Sequence, residues 1–433
     1  MVFSTLSNSV NYYACQFAVQ TLQQINAPLK IVIRDDGEEK KVYEGKKGRD
    51  EEYAVITINN PTFWIRLCSD FDLGFAEAYM YQEVDCDNLT AIFDLYINNP
   101  NTLNGGSFLL QFLPRFARLL KPKNDLINSR ANIASHYDSS NDLFTAFLSP
   151  DMNYSCAHWS GDPSESLEAA QLRKVHSILH KAKVTATDHV LDIGCGWGGL
   201  AIEAARRTGC RVTGLTLSAE QKTLADEKIK TAGLEDRISI LLCDYRNAPR
   251  PENGYDKIIS VGMFEHVGLE FMDQYFETIS GLLKNEQGIV VIDGITKTNP
   301  FYEKNPAIGD FIDRYVFPGG YLPTANILFE SLHRGSKGKL EVTMTQNTGP
   351  HYGKTLLAWK ENFLANWGDI QADFSLKHPD ATKVDIEAYR RKWLYYMNYC
   401  EAGFRRRILG NYMITAVRAP EAVIPYKTHV SDI

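Results

Sequence analysis

The stretch Val190-Leu-Asp-Ile-Gly-Cys-Gly-Trp-Gly-Gly199 constrains this chain more than any other, because it passes from strand to helix through glycines. Val190 to Ile193 is an apolar, β-branched run of the kind that fills a parallel strand buried on both faces. Gly194, Gly196 and Gly199 then follow the G-x-G-x-x-G spacing. In that pattern the first glycine permits a tight turn, the second lets a ligand press on bare backbone, and the third lets helix pack on strand. Taken alone, such a turn can be no more than a turn. Here a helix-compatible segment, Leu200 to Arg207, and a second apolar strand, Arg211 to Leu217, follow it.

Asp192 stands just before the first glycine, at the carboxyl end of the strand. A carboxylate there repels a pyrophosphate but pairs well with an ammonium group. That favours S-adenosylmethionine, an amino acid bearing a sulfonium cation, over NAD. A cap for the following helix is the plainer role for Asp192, and it explains less.

The chain has 433 residues, room for two or more domains with sizeable cores. Hydrophobic residues at 44% and charged residues at 23% describe a soluble globular protein. A net charge of −7 leaves no electrostatic footprint for nucleic acid. No stretch approaches the ~20 apolar residues of a membrane span, and no basic segment leading into an apolar run marks a signal peptide. Cys15, Cys68, Cys86, Cys156, Cys195, Cys210, Cys243 and Cys400 are scattered without a C-x-x-C pair. That argues for reduced thiols and a cytoplasmic protein, with neither zinc nor disulfides.

Composition and pattern divide the chain near residue 120. Residues 1–120 read as a small α+β domain, with strands at Leu29 to Arg34, Tyr53 to Ile58 and Thr62 to Leu67. Asp36-Gly37 and the polar run Gly45 to Glu52 separate them. Helices are expected at roughly Tyr12 to Gln24 and Asn88 to Asn98, and Leu113-Pro114 and Lys121-Pro-Lys123 fit a connector. Residues 121–433 alternate strand and helix. Strands are expected at His189 to Ile193, Arg211 to Leu217, Ile238 to Leu242, Tyr255 to Val261 and Gly288 to Asp293, with helices such as Ser218 to Thr231 and Phe271 to Lys284 between them. This alternation predicts an α/β doubly wound parallel sheet with ligands at the carboxyl ends of its strands. Residues 295–335 break the alternation and are rich in Phe, Tyr, Ile and Leu. They read either as the core of an inserted helical lobe or, more sharply, as an apolar wall for a hydrophobic substrate. Leu340 to Thr345 and Tyr412 to Arg418 resemble two further strands that close the sheet, with helices at Lys354 to Asn366 and Asp385 to Phe404.

Six segments occur together: Tyr154-Ser-Cys-Ala157, Leu191 to Gly199, Gly214-Leu-Thr-Leu-Ser-Ala-Glu-Gln221, Asp244-Tyr-Arg246, Gly262-Met-Phe-Glu-His-Val-Gly268 and Tyr352 to Trp359. In this combination, over roughly residues 125 to 420, the chain resembles the cyclopropane fatty acid synthases. It is also similar to the mycolic acid cyclopropane synthases and, more distantly, to plant N-methyltransferases such as coclaurine N-methyltransferase. The N-terminal part resembles, more weakly, the accessory domain of the longer fatty acid enzymes. The resemblance implies a class I methyltransferase, a Rossmann-like fold with a helical lipid-binding insertion. Its implied activity is methyl(ene) transfer from S-adenosylmethionine to the cis double bond of an unsaturated acyl chain, usually in a phospholipid, giving a cyclopropane. An alkene is a poor nucleophile, so the sulfonium must be held in line and dry, about 3–3.5 Å from the reacting carbon.

The same resemblance assigns roles by position. It places Tyr154 and Ser155 near the methionine end of the donor, beside Asp192, Gly194, Cys195 and Gly196. Thr216, Leu217 and Gln221 fit ribose and adenine contacts, with Asp244 and Tyr245 near the adenine edge. A bound bicarbonate takes the proton in the family, held by residues that fall here at Cys156, Glu265 and Tyr352, and Cys400 matches an active-site cysteine. A helix-start role for Glu265 and a backbone-bonded hydroxyl for Tyr352 are the plainer alternatives. Cys156 and Cys400 carry little weight alone, since lone cysteines are usually buried small hydrophobes.

One departure is consequential. Where the bacterial cyclopropane synthases carry His-Thr, this chain has Asp293-Gly294. An ionised aspartate there sets a further negative charge beside Glu265 and any bicarbonate, which disfavours ionisation. Either Asp293 is protonated, or bicarbonate is absent and the two carboxylates act in its place. The expected partners are an unsaturated phospholipid and a transiently visited membrane surface, without nucleic acid, and with a homodimer left open. Two other functions remain: an N- or C-methyltransferase on another hydrophobic molecule, including methyl-branching of a lipid, and a non-catalytic lipid-binding relative.

Overall fold

The computed structural model describes residues 12–16, 19–20, 28–35, 38–45, 53–99, 140–304 and 311–419, which fall into two compact units. The first gathers residues 1–139, 307–318 and 364–406. Its sheet has the order β2-β1-β3-β4, formed by β1 (Leu29–Asp35), β2 (Glu38–Glu44), β3 (Ala54–Ile58) and β4 (Val84–Cys86). β1 runs parallel to β3 and antiparallel to β2, and β4 is antiparallel to β3. Residues 12–16 and 19–20 are helical, as is Leu89–Asn98. The expected connector, the boundary near residue 120, the Asp36-Gly37 turn and residues 46–52 of the polar run lie outside the described residues.

Thr62 to Leu67, expected as a strand, opens the helix Thr62–Met80 instead. A short apolar run suits either period, and the chemistry of its start decides. Pro61 occupies the N-cap, and the Asn60 side chain accepts from the Thr62 N–H at 2.9 Å. The helix then brings Glu77 within 2.8 Å of the buried Arg66, which also holds Glu83 at 3.0 Å. The helices Phe311–Tyr315, Trp367–Lys377 and Lys383–Arg405 belong to this unit, and the Tyr315 hydroxyl donates to Glu77 at 3.0 Å. Residues 295–335 are shared between the units, with 307–318 in the first and 295–306 and 319–335 in the second.

The second unit gathers residues 140–306, 319–363 and 407–433. All five expected parallel strands form: β5 (His189–Ile193), β6 (Arg211–Thr216), β7 (Ile238–Leu242), β8 (Lys257–Val261) and β9 (Ile289–Lys297). With β10 (Leu340–Asn347) and β11 (Leu409–Arg418) they make a seven-stranded sheet of order β10-β11-β9-β8-β5-β6-β7. β11 is antiparallel to β9, and β10 to β11. One face buries Val175, Ile178 and Leu179 of the helix Leu167–Lys181 and Ala201, Ala204 and Ala205 of the helix Gly199–Thr208. The other buries Tyr275, Phe276 and Ile279 of Met272–Leu282 and Leu328 and Leu332 of Ala325–Ser336. Strand order reverses at β5, which lies between β6 and β8, and crevices for ligands open at such a switch point. Among the described residues no helix is long and apolar enough to cross a membrane.

Candidate active site

β5 leads directly into the glycine turn. Asp192 is 2% exposed, and one carboxylate oxygen, Oδ2, is buried without a hydrogen-bond partner. Burial pushes its pKa up to about 7, against the pull of the Lys174 ammonium. The N–H groups of Gly194 and Cys195 both donate to the Leu215 carbonyl, at 3.0 and 2.9 Å, which ties the turn to β6. Gly196 has φ +55° and open space where a Cβ would stand, so bare backbone faces a void that a ligand can enter. Gly199 has a different role from the helix–strand packing expected of it. A Cβ there would lie 2.2 Å from the Asp151 carbonyl oxygen, so this glycine admits the segment at 151–153. The Cys195 side chain is buried against β6, where a Cβ on Gly214 would meet its sulfur at 2.9 Å.

That admitted segment continues into Tyr154 and Ser155. The Tyr154 ring is boxed by Phe144 at 5.0 Å, Trp359 at 5.1 Å and Phe147 at 6.0 Å. Trp359 lies on the helix Gly349–Ala365, which also carries Tyr352, and the two rings meet edge-on at 6.1 Å. The Cys156 thiol is fully buried, donates to the carbonyls of Ala157 and Thr348 at 3.5 Å, and is held in its protonated form by burial.

A 3-10 turn, Phe264–His266, follows β8 and points Glu265 inward. Its Oε1 accepts the Ile295 N–H at 2.7 Å, while Oε2 is buried without a partner. Burial pushes this carboxyl up to about 7, the Ile295 hydrogen bond opposes, and Asp293 adds to the rise. Gly294 makes the arrangement possible, because a Cβ there would stand 2.6 Å from the Phe264 ring and 2.8 Å from Glu265 Oε1. Asp293 lies within β9 rather than at its end, opposite Met413 of β11. Asn411 donates to its Oδ1 at 2.8 Å and to Thr348 Oγ1 at the same distance. Burial holds Asp293 at about 6, with Asn411 and Lys174 pulling it down. The Tyr352 hydroxyl is driven well above its usual range, first by burial and then by Cys156, Glu265, Tyr154 and Asp293. Hydrogen bonds tie this set together: Cys156 donates to the Thr348 carbonyl, Asn411 bridges Thr348 and Asp293, and Glu265 accepts from Ile295, two residues along β9 from Asp293.

At the far side of the turn, Thr216 Oγ1 donates to Gln221 Oε1 at 2.7 Å, and Leu217 is 70% exposed at the end of β6. Asp244 holds Arg246 through both carboxylate oxygens, at 2.8 and 2.7 Å, which lowers its pKa. Tyr245 is buried edge-on to Tyr275. Cys400 lies on the helix Lys383–Arg405 of the first unit, half-buried. Lys174 and Asn411 went unnamed from sequence. A lysine among the buried apolar positions of Leu167–Lys181 is the signal that marks the first. Nothing local marks the second.

The residues at the turn fit a cationic amino-acid ligand: an orphaned buried carboxylate oxygen on Asp192 and bare backbone at Gly196 facing open space. Sheet order and site together define the Rossmann-like fold of class I methyltransferases. The model of the mycolic acid cyclopropane synthetase family matches residues 124–413, and the chain belongs to that family. It is 35% identical to the cyclopropane-fatty-acyl-phospholipid synthase of Escherichia coli, over 85% of this chain and 89% of that protein. It is 36% identical to the tuberculostearic acid methyltransferase UfaA1 of Mycobacterium tuberculosis, over 80% and 79% of the two chains. Among solved structures it is similar to mycolic acid cyclopropane synthase CmaA1 complexed with SAH and CTAB, with a TM-score of 0.57 and 30% identity. That likeness covers 67% of this chain and 98% of the other.

Proposed function

We infer that this chain transfers a one-carbon unit from S-adenosylmethionine to the cis double bond of an unsaturated acyl chain in a phospholipid, producing a cyclopropane fatty acid. The observation that carries this reading is the buried cluster of Glu265, Asp293, Tyr352 and Cys156, in a chain 35% identical to a synthase of that activity. Bound S-adenosylmethionine supplies an electrophilic methyl group on a sulfonium. Asp192, Gly194, Cys195 and Gly196, with Tyr154 and Ser155, hold its amino-acid end. Thr216, Leu217, Gln221, Asp244 and Tyr245 hold its ribose and adenine.

When the alkene has taken the methyl, positive charge develops on the neighbouring chain carbon. Closing the ring requires one proton to leave the new methyl, its electron pair forming the last carbon–carbon bond. Glu265 Oε2, buried and without a partner, accepts that proton. Ionised Asp293 stabilises the cation. Tyr352 stays protonated and donates, and Cys156 lines the reacting region.

Bicarbonate fits these residues poorly. Two buried carboxylates already occupy the cluster, and a third anion beside them costs more than it returns. Glu265 and Asp293 take over its role in this reading. Turnover in bicarbonate-depleted buffer tests the point, since strong stimulation on adding bicarbonate overturns the carboxylate mechanism.

Asp293 in place of the family histidine, with the likeness to the tuberculostearic acid methyltransferase, favours one alternative. Loss of the proton from the chain instead of the methyl leaves a methyl-bearing alkene. Mass spectrometry of lipids from cells expressing the chain should show acyl chains heavier by one CH₂, and proton NMR then separates ring from branch. An amine product without any lipid product refutes both. The acyl lipid is met at a membrane surface, visited transiently from the cytoplasm. Vesicle sedimentation tests that visit, and light scattering tests for a homodimer.

A further inference from the structure

The helix Leu167–Lys181 carries two polar residues that its packing does not require. Gln171 and Lys174 are both 0% exposed and one turn apart, on a face that also buries Ala170, Val175 and Ile178. A buried ammonium persists where its hydrogen bonds and its charge are both used. Here both residues reach the segment around Tyr154. Gln171 Nε2 donates to the carbonyls of Asn153 at 3.2 Å and Ser155 at 2.8 Å. Lys174 Nζ donates to Asn153 Oδ1 at 2.8 Å and Ser155 Oγ at 3.0 Å. The residues on either side of Tyr154 are each held twice, once by backbone and once by side chain. Asn153 donates onward to Asp151, whose carbonyl oxygen sits over Gly199. The clamp therefore reaches the glycine turn.

The lysine adds what the glutamine cannot. Its charge acts on Asp192 of β5 and Asp293 of β9 and lowers the pKa of each. Asp151 and Cys156 also face it, and it opposes protonation of His158. We propose that Lys174 is a positioning residue for methyl transfer, holding Tyr154 and Ser155 over the glycine turn and supplying the buried positive charge that Asp192 and Asp293 face. The donor's identity in this proposal rests on the function inferred above.

The test uses the full chain and three variants, Lys174→Met, Lys174→Arg and Gln171→Leu. Binding of S-adenosylhomocysteine is read by calorimetry, the pH profile of kcat on unsaturated phospholipid vesicles by labelled-methyl transfer, and folding by thermal melting. Lys174→Met and Gln171→Leu should each weaken binding by about tenfold or more, because a loosened loop misplaces its contacts. Removing the cation lets the carboxyl pKa values rise, so in Lys174→Met the acid limb of kcat should move to higher pH. In Gln171→Leu and Lys174→Arg it should stay where it is. A folded Lys174→Met protein with unchanged binding and an unmoved acid limb overturns the proposal. Should Lys174→Met fail to fold, a shifted limb in Lys174→Arg or Gln171→Leu overturns the charge role instead. Absence of turnover on any acyl lipid by the unaltered chain would sink the functional reading alone, since the binding measurement still judges Lys174.

Discussion

Replacing Glu265 with glutamine should halt turnover and, at alkaline pH, make the protein more stable. The carboxyl is 7% exposed, and its pKa rises from 4.5 to about 7, chiefly through burial. An acid whose folded pKa lies above its unfolded one favours the fold most fully below the unfolded value, and that contribution is lost as pH rises through the folded value. The window here runs from 4.5 to about 7. At about 1.4 kcal/mol per pH unit the whole loss is about 3 kcal/mol, of which about 1 kcal/mol is already gone at about pH 5.5. Glutamine keeps an oxygen for the Ile295 N–H and carries no charge to desolvate, so the variant escapes the loss. Its stability advantage should therefore grow by about 2 kcal/mol between about pH 5.5 and 8, or roughly 4–8 °C in Tm. Thermal melting at the two pH values, beside labelled-methyl turnover and calorimetry with S-adenosylhomocysteine, reads all three consequences. Donor affinity should stay nearly intact while kcat collapses. A melting difference that does not change with pH would show that Glu265 is not a carboxyl buried without compensation, and equal loss of donor affinity would remove it from the proton step.

Three further outcomes follow from the same geometry. Gly196→Val places a branched side chain where bare backbone meets open space at φ +55°, so S-adenosylhomocysteine binding should fall on the order of a hundredfold or more, with a backbone penalty of about 1–2 kcal/mol in melting. Gly294→Ala drives a methyl into the Phe264 ring and Glu265 Oε1, so kcat should drop by about tenfold or more while donor affinity measured by calorimetry is unaffected. Asn411→Leu removes the hydrogen bond that holds the Asp293 pKa down; the acid limb of the kcat profile should move to higher pH, and an unmoved limb would detach Asp293 from the chemistry.

The parallel sheet was legible because β5, β6, β8 and β9 are buried on both faces and stand out as short apolar runs, while the edge strand β7 keeps enough apolar residues to be read with them. β2 left no such trace. Its sequence, EEKKVYE, lies along an exposed edge with no buried side to impose alternation. Thr62 to Leu67 misled for the opposite reason: its burial fits strand and helix alike, and Asn60 and Pro61 were the signal to weigh. Within the site, Asp192, Glu265 and the glycines are local features of one turn or one strand end. Asn411 becomes meaningful only through a partner 118 residues away. The third glycine shows the limit of motif reading. Gly199 matches its pattern, yet the atom that forbids a side chain there belongs to Asp151, in a segment no spacing rule points to.

The antiparallel partner of β9 bears on how the molecule comes into being. Asn411 leaves the ribosome 118 residues after the aspartate it steadies, so a growing polypeptide has its glycine turn and every parallel strand long before its acid centre is complete.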